Sequence, residues 1–152
     1  MTSPRTTTAT DASAGRAEGA GSAPTIVLFD RDCGLCRWTA ERLRRWDRGG
    51  RLAFVPLGKP RAAALLPHLT PRERLGSWHL VSPDGTVRSG GAAVPGALEL
   101  LPGGRPLAAA ARRFPGPTDR AYRWVADHRT VLGRLLGRRA CAVDPSARRP
   151  PP

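Results

Sequence analysis

The sequence predicts a single α/β domain, and three stretches carry that prediction. Residues 26–46, IVLFDRDCGLCRWTAERLRRW, run from β-branched and aromatic residues into apolar residues at helical spacing. RLAFVPL follows as a second strand, and a strand reached through a helix lies parallel to the first under the right-handed crossover rule. SWHLVSPDGTVRSGG then reads as a hairpin. Its two strand-like runs flank Ser82-Pro83-Asp84-Gly85, where proline sets φ and glycine supplies the positive-φ position.

TIVLF is short and apolar throughout, which suits a strand buried on both faces. From Cys33 the period changes. Leu35, Thr39, Leu43 and Trp46 recur at helical spacing, Arg37, Arg44 and Arg45 point elsewhere, and Gly49-Gly50 ends the run. Pro56 belongs at or beyond the hydrogen-bonded part of the second strand, because it has no N–H to give. Pro60 opens a short helix over residues 60–69, and Thr70 is the expected N-cap of the turn begun by Pro71.

After the hairpin, GALELL and PLAAAARRF give two further helices, the second opened by Pro106 and closed before Pro115. TDRAYRWVADHRTVLGRLLGRRAC reads as one long helix with Thr118 as N-cap. Tyr122, Val125, Leu132 and Leu136 share a face, and arginines gather near its carboxyl end, where the dipole favours them. Residues 1–24 and 142–152 hold few large apolar side chains and are expected to be a disordered leader and tail, leaving 25–141 as the domain.

Composition narrows the function classes. A chain of 152 residues with 40% hydrophobic content supports one compact core. The net charge of +13 is almost all arginine, Lys59 being the single lysine. These arginines are scattered and lack the interleaved aromatics of a single-strand platform, so no nucleic-acid partner is expected. No run has the length of a membrane span or the core of a signal peptide. Three cysteines, Cys33, Cys36 and Cys141, are too few for the disulfide framework of a secreted mini-protein, and a cytoplasmic protein is expected.

The chemistry lies in Cys33 and Cys36. A thiol attacks disulfides only as its thiolate, and a second thiol must be near enough to displace the mixed disulfide. A strand running into a helix amino end offers backbone N–H groups and the positive dipole to Cys33, with Cys36 one turn further. On this reading Cys33, nearer the helix start and the more exposed, is the nucleophile and Cys36 the resolving thiol. Arg31 and Arg37 favour the thiolate, and Asp30 and Asp32 oppose it.

Two alternatives share the C-x-x-C spacing: half of a zinc site, and a pair of small core residues. Zinc lacks further ligands at finger-type spacing, since Cys141 is remote and His68, His79 and His128 are unpaired in sequence. Asp30 has two readings, a carboxylate that carries the Cys36 proton and a structural acceptor in the turn, whereas Asp32 is read as the helix cap. His79 and the four tryptophans are read as structural, with Trp38, one turn from the sulfurs, placed to line a contact surface.

Asp30-Arg31-Asp32-Cys33-Gly34-Leu35-Cys36 resembles the D-x-x-C-x-x-C signature of the DCC family of bacterial thiol-disulfide oxidoreductases. The resemblance extends through SPDGTVRSGGAA, LPGGRPLA and YRWVADHRTVLGRLLG to Cys141, over residues 25–141. It implies a thioredoxin-like fold, a central mixed β-sheet flanked by helices with extra C-terminal helices. It also implies protein-disulfide reduction with Cys33, Cys36 and Asp30 at the site. No cofactor or metal is required; the partners are a protein or small-molecule disulfide and an unidentified thiol reductant. This chain has ERLGSW where thioredoxins carry a proline ahead of the strand facing the cysteines, so Gly76 and Ser77 occupy that region. Two rivals remain: a redox-silent interaction module on the same scaffold, and a zinc-binding protein.

Overall fold

The structure is a computed structural model, and it describes residues 23–136. The expected leader and tail, and Cys141, fall outside the described residues or nearly so. Strand β1 (Thr25–Phe29) leads into helix α1 (Gly34–Trp46), then β2 (Leu52–Pro56), α2 (Pro60–Leu65) and α3 (Pro71–Gly76). The hairpin strands β3 (His79–Val81) and β4 (Val87–Ser89) follow. A 3-10 turn (Gly90–Ala93) then enters α4 (Val94–Leu100), α5 (Arg105–Arg113), α6 (Pro115–Asp127) and α7 (Arg129–Leu135).

The four described strands make one mixed sheet in the order β2-β1-β3-β4. β1 pairs parallel with β2, Thr25 opposite Leu52 and Phe29 opposite Pro56, and antiparallel with β3, Val27 opposite Leu80. This is the thioredoxin-like α/β arrangement that the sequence predicts. Successive strand residues face opposite sides, so each strand feeds two cores. Val27, Leu52 and Leu80 join Ala93, Ala97 and Leu101 on one face, and Leu28, Val55 and Val81 join Leu57, Ala62 and Leu66 on the other. Burial of both sides of β1 explains why TIVLF is apolar at every position but its first.

The turn at Ser82–Gly85 closes as its residues require, with Gly85 at φ 82° and its N–H donating to Ser82 O at 2.9 Å. Thr70 caps α3 with a full capping box: its hydroxyl accepts from Glu73 N, and Glu73 Oε2 accepts from Thr70 N at 2.8 Å. The single long helix expected from Thr118 onward is instead two. Pro115 and Pro117 start α6 earlier, after Phe114, and Thr118 lies inside it, its hydroxyl donating to Phe114 O at 2.9 Å. At His128 the backbone leaves the helical region (φ −96°, ψ 9°), and the ring Nδ1 lies 2.7 Å from Trp124 O. Trp124 is correspondingly 56% exposed, stacked on His128 with centroids 4.6 Å apart, and is not the core residue the sequence suggested.

The last two helices pack on different parts of the domain. α6 packs on the 3-10 turn, so closely that a Cβ on Gly91 would lie 2.7 Å from Asp119 Cα, and α7 packs on the start of α1. Gly133, buried in α7, sits where a Cβ would lie 3.5 Å from Leu35 N. The extra carboxyl-terminal helices therefore reach the amino end of the very helix that carries the cysteines.

Candidate active site

The turn from β1 to α1 brings the cysteine pair together. Cys33 is itself the N-cap of α1, with extended backbone (φ −84°, ψ 116°), and its sulfur accepts a hydrogen bond from Cys36 N at 3.4 Å. That bond aims the Cys33 sulfur at the positive end of a 13-residue helix, equivalent to about half an elementary charge. The cap expected of Asp32 thus falls to Cys33. Asp30 is the structural acceptor of the turn, its Oδ1 accepting from Asp32 N at 2.9 Å.

Neither cysteine is in a disulfide, and they face each other: the Cys36 thiol hydrogen-bonds the Cys33 sulfur. That bond is the main reason the Cys36 thiol is pushed far above its ordinary range. Burial, the charge of Cys33 and that of Asp30 push the same way, and Arg129 opposes them. Cys36 is therefore held in its protonated form. The cation acting on Cys36 is Arg129, supplied by α7; Arg31 and Arg37, which the sequence put forward, are exposed to solvent.

Exposure runs opposite to the expectation. Cys33 is fully buried, 0% exposed, while Cys36 is partly open. Sequence places Cys33 at a helix start, where side chains are commonly accessible; α7, lying across that start, is what the local pattern does not reveal. Trp38 is half-buried on α1 and partners Arg42, whose guanidinium sits 5.3 Å from its ring centroid.

Cys36 also forms part of the wall of a partly open cavity of about 260 Å³ between the sheet, α1, α4, α6 and α7. Its surface is almost wholly hydrocarbon, from Val27, Leu43, Ala97 and Val125 among others, with Asp30 and Arg129 also lining it. Gly76 and Ser77, which enter β3, line it too, and Ser77 Oγ pairs with Tyr122 OH at 2.9 Å. Sequence reasoning identified neither Arg129 nor this cavity as functional. Six separate elements contribute to it, β1, α1, α3, α4, α6 and α7, and no local motif announces such a convergence. No group of three or more metal-capable side chains gathers among the described residues, and no helix there is long and apolar enough to cross a membrane.

His79 is buried and both its ring nitrogens are used. Nε2 lies 2.9 Å from Arg74 O, which can only accept, so Nε2 carries the proton and Nδ1 accepts from Ser89 Oγ at 2.6 Å. Its role is to tie β3 to β4 and to α3, away from the sulfurs.

No curated protein and no solved structure matches the chain. The family model described as DCC1-like thiol-disulfide oxidoreductase matches residues 27–135, from the first buried strand to the end of α7. With that span and a Cys33–Cys36 pair set at a helix amino end, the chain belongs to the DCC1-like thiol-disulfide oxidoreductase family.

Proposed function

We propose that the chain reduces disulfides, protein disulfides in particular, with Cys33 as nucleophile and Cys36 as resolving thiol. The observation that supports this is the arrangement of the pair: a sulfur that caps the helix and accepts from Cys36 N, and a neighbouring thiol held in its protonated form. The Cys33 thiolate attacks one substrate sulfur, forming a mixed disulfide and expelling the other sulfur as a thiolate that takes a proton from solvent. Cys36 then gives up its proton and attacks Cys33. The Cys33–Cys36 disulfide forms and the second substrate thiolate leaves, so two electrons pass from the pair to the substrate. A thiol reductant returns the pair to the dithiol.

Asp30, in the wall beside Cys36, takes the Cys36 proton during the second step while its Oδ1 holds the turn. Because Cys33 is sealed at rest, attack requires α7 to shift from the amino end of α1. The same burial favours the rival reading of a redox-silent interaction module on this scaffold, and one measurement separates them. Reduction of insulin disulfides is expected from the wild type, to be abolished in Cys33→Ser, and to stall in Cys36→Ser as a mixed disulfide visible by mass spectrometry. Equal rates from wild type and Cys33→Ser would leave the interaction module.

A further inference from the structure

The exchange steps need two sulfurs and a proton carrier, yet Cys36 stands in the wall of an apolar cavity that those steps do not use. Its volume, about 260 Å³, is below the ~300–1,000 Å³ of pockets that enclose drug-sized ligands. It is still several times the ~30 Å³ that a water molecule occupies in the liquid. A bulky cofactor does not fit, and one large aliphatic or aromatic side chain does. Val27, Leu43, Ala97 and Val125 present hydrocarbon to such an occupant. The Ser77 hydroxyl donates to Trp78 O and accepts from Tyr122 OH, so neither hydroxyl proton asks for a partner in the cavity. The two charges in the wall, Asp30 and Arg129, both act on Cys36, so charge is gathered at the sulfur's side of the cavity.

We propose that this cavity is a specificity pocket, receiving a large apolar side chain next to the reacting half-cystine of a protein substrate. The inference rests on the exchange reading above and names its substrate class: disulfides set in an apolar sequence context. Adjacent Cα atoms are ~3.8 Å apart, so a residue one or two positions from a half-cystine enters the cavity while the half-cystine itself stays beside the pair. An unfilled apolar hollow forfeits dispersion contacts on its lining, and a hydrocarbon occupant restores them. Hydrocarbon walls discriminate against a polar or smaller group by about 10- to 200-fold in kcat/KM.

The test uses the reduced full chain and a series of short peptides. Each carries one cysteine in mixed disulfide with cysteamine and differs only in the neighbouring residue: Leu, Phe, Ser or Glu. Bis(2-hydroxyethyl) disulfide and dibutyl disulfide serve as small-molecule probes. The wild type is expected to reduce the Leu and Phe peptides at least ~10-fold faster in kcat/KM than the Ser peptide. Ala126→Leu and Thr39→Leu fill the cavity from α6 and from α1, and in each the Leu-to-Ser ratio is expected to fall towards one. Thermal melts identify a variant that fails to fold, and the other then decides.

Equal rates for all four peptides, with the hydroxyethyl probe still reduced, overturn the pocket and leave the exchange reading standing. A preference for dibutyl over hydroxyethyl disulfide with none among the peptides also overturns it, moving the cavity to small molecules. No reduction of any probe by the wild type removes both readings.

Discussion

Asp30 and Arg129 act on the Cys36 thiol in opposite directions, the carboxylate raising its affinity for the proton and the guanidinium lowering it. Neutralising each gives a paired prediction. Asp30→Asn keeps an oxygen to accept Asp32 N–H, so the turn survives, and alkylation of Cys36 is expected to begin at lower pH than in the wild type. Arg129→Gln is expected to move the onset to higher pH. Cysteine-resolved mass spectrometry after timed iodoacetamide exposure across a pH series measures both. Shifts of the same sign in the two variants would show that packing, and not charge, sets the behaviour of Cys36. The carboxylate was legible in the sequence because it is three residues from Cys33. The guanidinium was not, because ninety-three positions separate Arg129 from Cys36 and no local pattern shows that α7 packs on α1.

Helix α7 packs on the start of α1, two residues along the chain from Cys33, and opening it is the proposed route to that sulfur. It is seven residues long, joined to α6 through a residue outside helical geometry, and it leaves Val131 and Leu135 exposed at 53% and 78%. Gly133 marks the contact with α1. Gly133→Ala places a Cβ at ordinary van der Waals distance from Leu35 N, whereas the longer side chain in Gly133→Leu wedges the helices apart. Alkylation of Cys33 is expected to be little changed by the alanine and faster with the leucine, about tenfold for each ~1.4 kcal/mol of docking lost. Unchanged Cys33 reactivity in Gly133→Leu, with the fold intact, would exclude α7 as the cover. The sequence showed that a helical pattern runs through this region. It did not show where the pattern breaks, at His128, whose backbone leaves helical geometry while its ring stacks on Trp124.

For the molecule as a whole, the buried imidazole of His79 couples stability to pH. Desolvation lowers its proton affinity in the fold below the ordinary value of 6.5, and the hydrogen bond to Arg74 O opposes that only in part. The unfolded chain therefore binds a proton that the folded chain refuses, in the window between the lowered value and 6.5. Above 6.5 the full stability is present, and it is lost as pH falls through that window. Thermal midpoints are expected to drop between pH 7 and pH 5 in the wild type. They are expected to drop less in His79→Gln, which starts from a lower midpoint because it breaks the ties to Ser89 and Arg74. Equal pH slopes in the two proteins would assign the effect to other groups.

The sheet itself was readable, because strand burial leaves a local signature: TIVLF apolar on both faces, a crossover helix between β1 and β2, and proline and glycine fixing the hairpin turn. The cysteine pair was readable for the same reason, spacing on one helix. Cover and cavity were not, since both arise where distant elements meet.

The seal over Cys33 has one more chemical result. Thiolates are driven irreversibly to sulfinic and sulfonic acids by peroxide in proportion to their anionic character and their accessibility. With 0% exposure, Cys33 is denied the second. A thiol stored in that way is expected to resist over-oxidation by peroxide for as long as it stays covered.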